Sequence, residues 1–108
     1  FVRLDASFRF VDVNPAAERA LGMAREALLG RTHWEAFPAS VGTPVEAAYR
    51  RVAAEGGEAH LTHHYVGDGY DVHLEIDAYG TTPPGLVDVF WRDVTEQVRA
   101  REALDRQS

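Results

Sequence analysis

The stretch HLTHHYVGDGYDVHLEIDAY, residues 60–79, decides the fold of this 108-residue chain. Leu61, His63 and Tyr65 alternate with polar residues, and apolar residues recur at every second position again after VGDG. A period of two is typical of a strand with one buried face, and glycines between two such runs indicate a turn. The sequence therefore predicts a long antiparallel hairpin.

A further strand follows the hairpin. TTPPG, residues 81–85, indicates a turn, and residues 86–92 place Val87, Val89 and Trp91 on one face. The helix-forming residues after Asp93 then predict a final helix.

The first half of the chain predicts two short strands and three helices. Residues 1–5 and 9–13 have the spacing of a hairpin, and Asn14 followed by Pro15 is a helix start. A short helix over residues 24–29 comes next, followed by a turn or a single helical turn at HWEAFP. The clearest helix begins at TPVE, where Thr43 and Glu46 form a predicted capping box, and it ends at Gly56. The order β-β-α-α-α-β-β-β-α predicts an α+β domain with helices on one face of an antiparallel sheet and a cavity between them.

Composition restricts the function classes. A net charge of -6 argues against a nucleic-acid partner, and no apolar run is long enough for direct membrane insertion. The absence of cysteine fits a reducing compartment. We expect a cytoplasmic domain cut from a longer protein, which could itself be membrane-anchored.

Catalytic motifs are absent from the sequence. There is no G-x-S-x-G, no H-E-x-x-H and no glycine-rich phosphate loop. A small enzyme using His63 as an acid or base would need an inward carboxylate, which the strand alternation does not supply. We therefore expect no catalytic residues and no enzymatic activity.

Four stretches together resemble a PAS domain, of the type found in bacterial sensor histidine kinases and related multidomain signalling proteins. They are LDASFRFVDVNPAAERALG (4–22), REALLGRTHWEAFP (25–38), TPVEAAYRRVAAEG (43–56) and GLVDVFWRDVTEQVRAREAL (85–104). The resemblance implies a five-stranded antiparallel sheet with helices packed on one face, a pocket between them and a carboxy-terminal exit helix. It assigns residues 1–93 to the sensory domain and 94–108 to the start of the helix leading to an effector domain in the same chain.

The resemblance also implies the site that relays a signal. DVT matches the family's closing Asp-Ile-Thr motif, in which Asp93 and Thr95 would cap and fix the exit helix where it leaves the sheet. A carboxylate or hydroxyl at a helix start satisfies free backbone NH groups, so this role is physically reasonable.

The candidate ligand pocket draws on large residues that face inward by alternation or lie on a buried helix face. They are Trp34, Phe37, Tyr49, His63, Tyr65, Ile76, Val89 and Trp91. Polar groups among apolar ones are typical of a small-molecule cavity, and ordinary core packing is the alternative. No ligand or cofactor is identified. The lack of cysteine excludes the cysteine-linked flavin and chromophore of the family, and the lack of histidine on residues 43–56 argues against haem.

The polar face of the hairpin carries histidines beside carboxylates. If Tyr65 pairs with Tyr70, the opposite pairs are His64 with Asp71, Thr62 with His73, and His60 with Glu75. Such a face could hold a zinc-type or nickel-type ion or titrate near neutral pH. We favour the simpler interpretation, a solvated or covered face with no metal.

Phe90 is the large apolar residue among the outward positions of the last strand, and His73 stands where the resembled family often has Trp. Both are expected at an interface, most simply that of a homodimer. The predicted function is a sensory PAS module, from a histidine kinase, that relays ligand or partner binding through its last helix. The alternative is a ligand-free homodimerisation or protein-interaction module.

Overall fold

A computed structural model describes residues 1–107, which form one antiparallel sheet with helices packed on one face. The sheet has the strand order β2-β1-β5-β4-β3. Its strands are β1 (Val2–Leu4), β2 (Phe10–Val13), β3 (Glu58–Gly67), β4 (Tyr70–Gly80) and β5 (Val87–Asp93). This architecture confirms the predicted fold class.

The helices follow the predicted order. They are α1 (Pro15–Leu21), α2 (Arg25–Leu28), α3 (His33–Ala36), α4 (Pro44–Glu55) and α5 (Thr95–Gln107), with a 3-10 turn at Pro38–Ser40. Asn14 caps α1 as expected, since its side chain accepts a hydrogen bond from the Ala17 NH at 2.9 Å. None of the helices formed by residues 1–107 combines the length and the apolar character that crossing a bilayer requires. Ser108, the last residue of the predicted exit segment, lies outside the described residues.

The core lies between the inner face of the sheet and α4. Inward residues of the central strands, Val87, Val89 and Ala78, are almost fully buried. Val52 and Tyr49 on α4 pack against them from above. The alternation in the strands therefore places the apolar side chains where the helix covers them.

The register of the β3–β4 hairpin differs from the predicted one. Tyr70 pairs with Gly67, and Tyr65 pairs with Val72. The cause is the turn, in which Asp68 and Gly69 both have positive φ (55° and 89°), as tight two-residue hairpin loops require. The shorter loop moves every predicted partner by two residues. The observed outer pairs are His64 with His73, Thr62 with Glu75, and His60 with Asp77.

The predicted capping box at α4 is also wrong in detail. The Thr43 hydroxyl accepts from the Val45 NH at 3.3 Å, but the Glu46 carboxylate accepts from Gly42 at 2.8 Å. The Thr43 NH cannot use Glu46, because it donates to the Ser40 carbonyl. A reciprocal capping box occurs instead at α3, between Thr32 and Glu35, and it begins that helix at His33.

Candidate functional site

A cavity of about 150 Å³ lies between the sheet and the helices. Inward side chains of all five strands form one wall, and residues of α1, α3, α4 and the neighbouring turns form the other. The lining residues are Val2, Phe10, Ala20, Leu21, His33, Phe37, Ser40, Val45, Tyr49, His63, Tyr65, Tyr70, Val72, Leu74, Ile76, Val89, Trp91 and Asp93.

Seven of the eight predicted pocket residues line this cavity. They are Phe37, Tyr49, His63, Tyr65, Ile76, Val89 and Trp91. Trp34 does not, since it packs on Phe8 at 5.4 Å between ring centroids and lies under the Arg50 guanidinium. Neighbouring residues on a helix point about 100° apart, so His33 and Trp34 of α3 do not both face the cavity.

His33 is one of eleven described lining residues that the predicted pocket did not include. Its ring lies 5.0–5.9 Å from the rings of Phe10, Trp34, Phe37 and Tyr49. The capping box at Thr32, a T-x-x-E pattern in the sequence, fixes the start of α3 and could have indicated which side chain turns inward.

Burial changes the chemistry of His33. Desolvation lowers its pKa to about 4, so the imidazole is neutral near pH 7. Its Nδ1 atom is buried and has no hydrogen-bond partner in the described part of the chain. An unpaired buried polar atom is costly, and such an atom in a native site requires an explanation.

The tyrosine hydroxyls at the cavity differ in their partners. Tyr65 donates to the Asp68 carboxylate, and Tyr70 donates to the Leu21 carbonyl. Burial raises the pKa of Tyr49, whose hydroxyl forms no hydrogen bond within residues 1–107. The pKa of His63 is lowered by partial burial and by the nearby charge of His64. The cavity therefore offers neutral polar groups among aromatic ones.

The start of α5 is anchored by Asp93 and Thr95. One Asp93 oxygen, Oδ1, accepts from the Thr95 NH at 2.9 Å and from the Thr95 hydroxyl at 2.5 Å. These two hydrogen bonds lower the pKa of Asp93. The Thr95 hydroxyl oxygen accepts in turn from the backbone NH of His73 at 2.9 Å, and the His73 carbonyl accepts from Val94 at 2.8 Å. The start of the helix at residues 93–95, which we call its root, is thus hydrogen-bonded to β4.

The anchor of α5 and the cavity share residues. Leu74 on β4 pairs with Asp93 on β5, and both line the cavity together with Trp91. Val94, the residue between the anchor side chains, is buried, whereas no described side chain of α5 itself is buried. The cavity wall therefore connects to the helix at its first turn.

The outer face of the sheet carries a small aromatic cluster. The Phe90 ring lies 5.1 Å from the Phe1 ring and 5.9 Å from the Tyr79 ring, and Phe90 is 47% exposed. A salt bridge of 2.6 Å between Arg3 and Asp88 lies on the same face. Phe90 is therefore where the sequence places it, on the exposed face.

On the outer face, His60 bonds a different carboxylate from the predicted Glu75, whereas His64 bonds Asp71, the residue predicted beside it. His60 bonds Asp77 at 2.6 Å, and His64 bonds Asp71 at the same distance. The ring of His73 stacks on that of His64 with 4.0 Å between centroids. Within residues 1–107, no group of three or more histidines and carboxylates is arranged to hold a metal ion.

Comparison with known proteins gives independent evidence about the fold and family of the chain. The family model described as "PAS fold" matches residues 1–99. A domain of an HTR-like protein from Haloarcula marismortui superimposes with a TM-score of 0.69 at 16% identity, over 87% of this chain and 95% of that one. The PAS domain of Bordetella pertussis BvgS gives a TM-score of 0.58 at 21% identity, over 98% of this chain and 80% of that one. No curated protein matches the chain.

Proposed function

The chain belongs to the PAS-fold family, and from this we propose that it is the sensory module of a signal-transduction protein, which we assign to the sensor histidine kinases. The module has a regulatory role and no catalysis of its own. In this proposal an occupant of the cavity changes the pose of α5, and an effector domain in the same chain responds. We place the module in the cytoplasm.

One observation carries the proposal, namely the continuity between the cavity wall and the root of α5. Leu74 faces the cavity, and its neighbour His73 uses both backbone groups to hold the helix. A ligand that displaces Leu74 or Trp91 would therefore act on β4 and β5 where they end. A ligand at Leu74 or Trp91 would then be separated from α5 by only a few covalent and hydrogen bonds, and not by the width of the domain.

In this proposal the signal arises because the ligand binds one of two conformations of the domain more tightly than the other. A ligand shifts a conformational equilibrium only when it binds one state more tightly than the other. Here the two states are two orientations of α5 about its anchor at Asp93 and Thr95. Because few side-chain contacts hold α5 beyond that anchor, small movements at the root change the direction of the whole helix.

The test begins with the freshly purified 108-residue chain. Its mass under native conditions is compared with its mass after denaturation, and an excess mass per chain identifies a bound small molecule. Hydrogen exchange is then measured at the amides of residues 94–98 with and without that molecule. The proposal expects a change in protection at these amides, and identical exchange in both states would refute the relay.

The outer face supports a second candidate function, homodimerisation. The cluster of Phe1, Tyr79 and Phe90 exposes apolar surface on a sheet face that no helix of residues 1–107 covers. A second copy of the chain would bury these rings. A dimer without any ligand would favour this function over sensing.

A further inference from the structure

We infer that the cavity binds a small, uncharged aromatic molecule with one hydrogen-bonding group, such as a phenol, and that this group bonds the imidazole of His33. The inference rests on the proposed sensory function and names the chemical class of its ligand. Four properties of the cavity support it.

The first property is size. The cavity measures about 150 Å³. An apolar cavity of about this volume, engineered into another protein, takes up benzene. Flavin, haem and nucleotides need several times more space, so the occupant is close in size to a single ring.

The second property is the aromatic lining. Phe37 contributes a ring from the helical side, and the sheet contributes the rings of Phe10, Tyr65, Tyr70 and Trp91. Several of these rings already meet edge to face, as Phe37 and Tyr65 do at 86°. An aromatic guest would find both ring faces and ring edges, the arrangement in which aromatic pairs are most favourable.

The third property is the charge of the lining. No lysine or arginine occurs among the described lining residues, and the ionised side chain is that of Asp93. An anion would therefore lack a partner and would meet a like charge. A cation could approach Asp93, but the Oδ1 atom already accepts two hydrogen bonds from Thr95. Burying an ion without a full partner is strongly unfavourable, so an uncharged ligand is preferred.

The fourth property is the unpaired imidazole of His33. Its Nδ1 is buried without a partner, and aromatic rings surround it. A neutral imidazole presents one NH donor and one acceptor nitrogen. Because His33 lines the cavity and neither of its ring nitrogens has a hydrogen-bond partner among residues 1–107, a hydroxyl group in the cavity would give the ring a partner that these residues do not supply. The ligand thus needs one polar group beside an apolar ring.

The experiment uses the isotopically labelled chain and four probes of similar size, which are phenol, toluene, benzoate and benzylammonium. Each is titrated near neutral pH while the amide resonances and the ring nitrogens of His33 are followed. We expect phenol to bind about tenfold more tightly than toluene, the size of effect that one buried hydrogen bond allows. Phenol alone should shift the ring nitrogens of His33, and neither ion should bind.

Two variants locate the hydrogen bond. His33→Phe should bind phenol and toluene equally, whereas His60→Phe, the same change on the outer face of the sheet, should keep the preference for phenol. If His33→Phe does not fold, the ring-nitrogen shifts of the unmodified chain decide the question. Equal affinity of the unmodified chain for phenol and toluene, or tighter binding of either ion, overturns the inference.

The same titration separates this inference from the proposed function. Phenol that shifts the cavity resonances but not those of residues 94–107 supports the ligand class and refutes the relay. A copurified molecule that moves α5 but is charged or much larger than one ring supports the relay and refutes the ligand class.

Discussion

The backbone NH of His73 lies 2.9 Å from the hydroxyl oxygen of Thr95, and the carbonyl of the same histidine accepts from Val94. One residue of β4 therefore holds the start of α5 with both of its backbone groups. The side chain of the next residue, Leu74, faces the cavity. In the proposed relay this arrangement is where sensing and output would be coupled, and it gives the first prediction.

Thr95→Val should weaken the root of α5. Valine has nearly the shape of threonine but cannot accept from the His73 NH, which is then left without its partner. We expect a loss of about 1 kcal/mol in unfolding free energy, together with faster exchange of the His73 amide. Urea denaturation and hydrogen exchange measure the two effects. Thr62→Val is the control, because the Thr62 hydroxyl forms no hydrogen bond with residues 1–107; an equal loss in both variants would contradict the prediction.

His33 should make the domain sensitive to acid. Its native pKa is about 4, below the ordinary value of 6.5, so the unfolded state binds a proton more readily. The stability contributed by the neutral ring is present above about pH 6.5 and is lost as the pH falls toward 4. The loss is on the order of 3 kcal/mol. Between these pH values, the unfolding free energy measured by urea denaturation should decline more steeply for the unmodified chain than for His33→Phe. Parallel curves for the two proteins would refute the prediction.

His60 should have the opposite pH dependence. Hydrogen bonds to Asp77 and then Glu58 raise its pKa, so the protonated ring stabilises the folded state. This contribution is fully present below about pH 6.5 and is lost as the pH rises through the raised pKa. His60→Gln should therefore lower the melting temperature more at about pH 5.5 than at about pH 9.

Thr62→Val, on the same face as His60 but without a titrating group, serves as the control and should change the melting temperature equally at both values. High salt should reduce the effect of His60, because the ion pair is exposed. A change in melting temperature that is the same at acid and alkaline pH would show that protonation of His60 does not contribute.

Phe90→Ser should shift the association state toward monomer if the outer face joins two copies. Removing an aromatic side chain from the centre of an interface commonly costs at least about 1 kcal/mol, or roughly tenfold in the dissociation constant. Light scattering across a concentration series measures this change. Val66→Ser is the matched control, since Val66 is exposed on the same face but lies at the end of β3. If both variants have the same molar mass as the unmodified chain, Phe90 does not lie in the interface.

Much of the fold could be predicted because the sequence carries strong local signals. The period-two pattern from Leu61 to Ala78 determines which side chains face the core whatever the exact register. Asn14 and Pro15 likewise define a helix start by their chemistry alone. Six of the seven predicted residues that line the cavity follow from the same alternation and from the buried face of α4, and Phe37 lies between α3 and the 3-10 turn.

The hydrophobic pattern predicts neither the register of the hairpin nor the position of His33, because both depend on conformations of one or two residues. VGDG allows a four-residue or a two-residue turn, and positive φ at Asp68 selects the shorter one. Whether His33 or Trp34 faces inward depends on where a single-turn helix begins. Neither choice changes the hydrophobic pattern, so periodicity alone does not determine them.

The exposure of α5 has a consequence for how an effector domain could be joined to it. The described side chains of α5 are not buried, so in the proposed relay its output would be a direction and a rotational phase rather than a specific surface. Any domain joined to it would respond to the angle at which the helix leaves the sheet. Adding about seven residues, close to two turns, would nearly preserve that angle, whereas adding one would rotate the outgoing face by about 100°. The spacing of the junction, more than its composition, would then determine whether a signal is passed on or inverted.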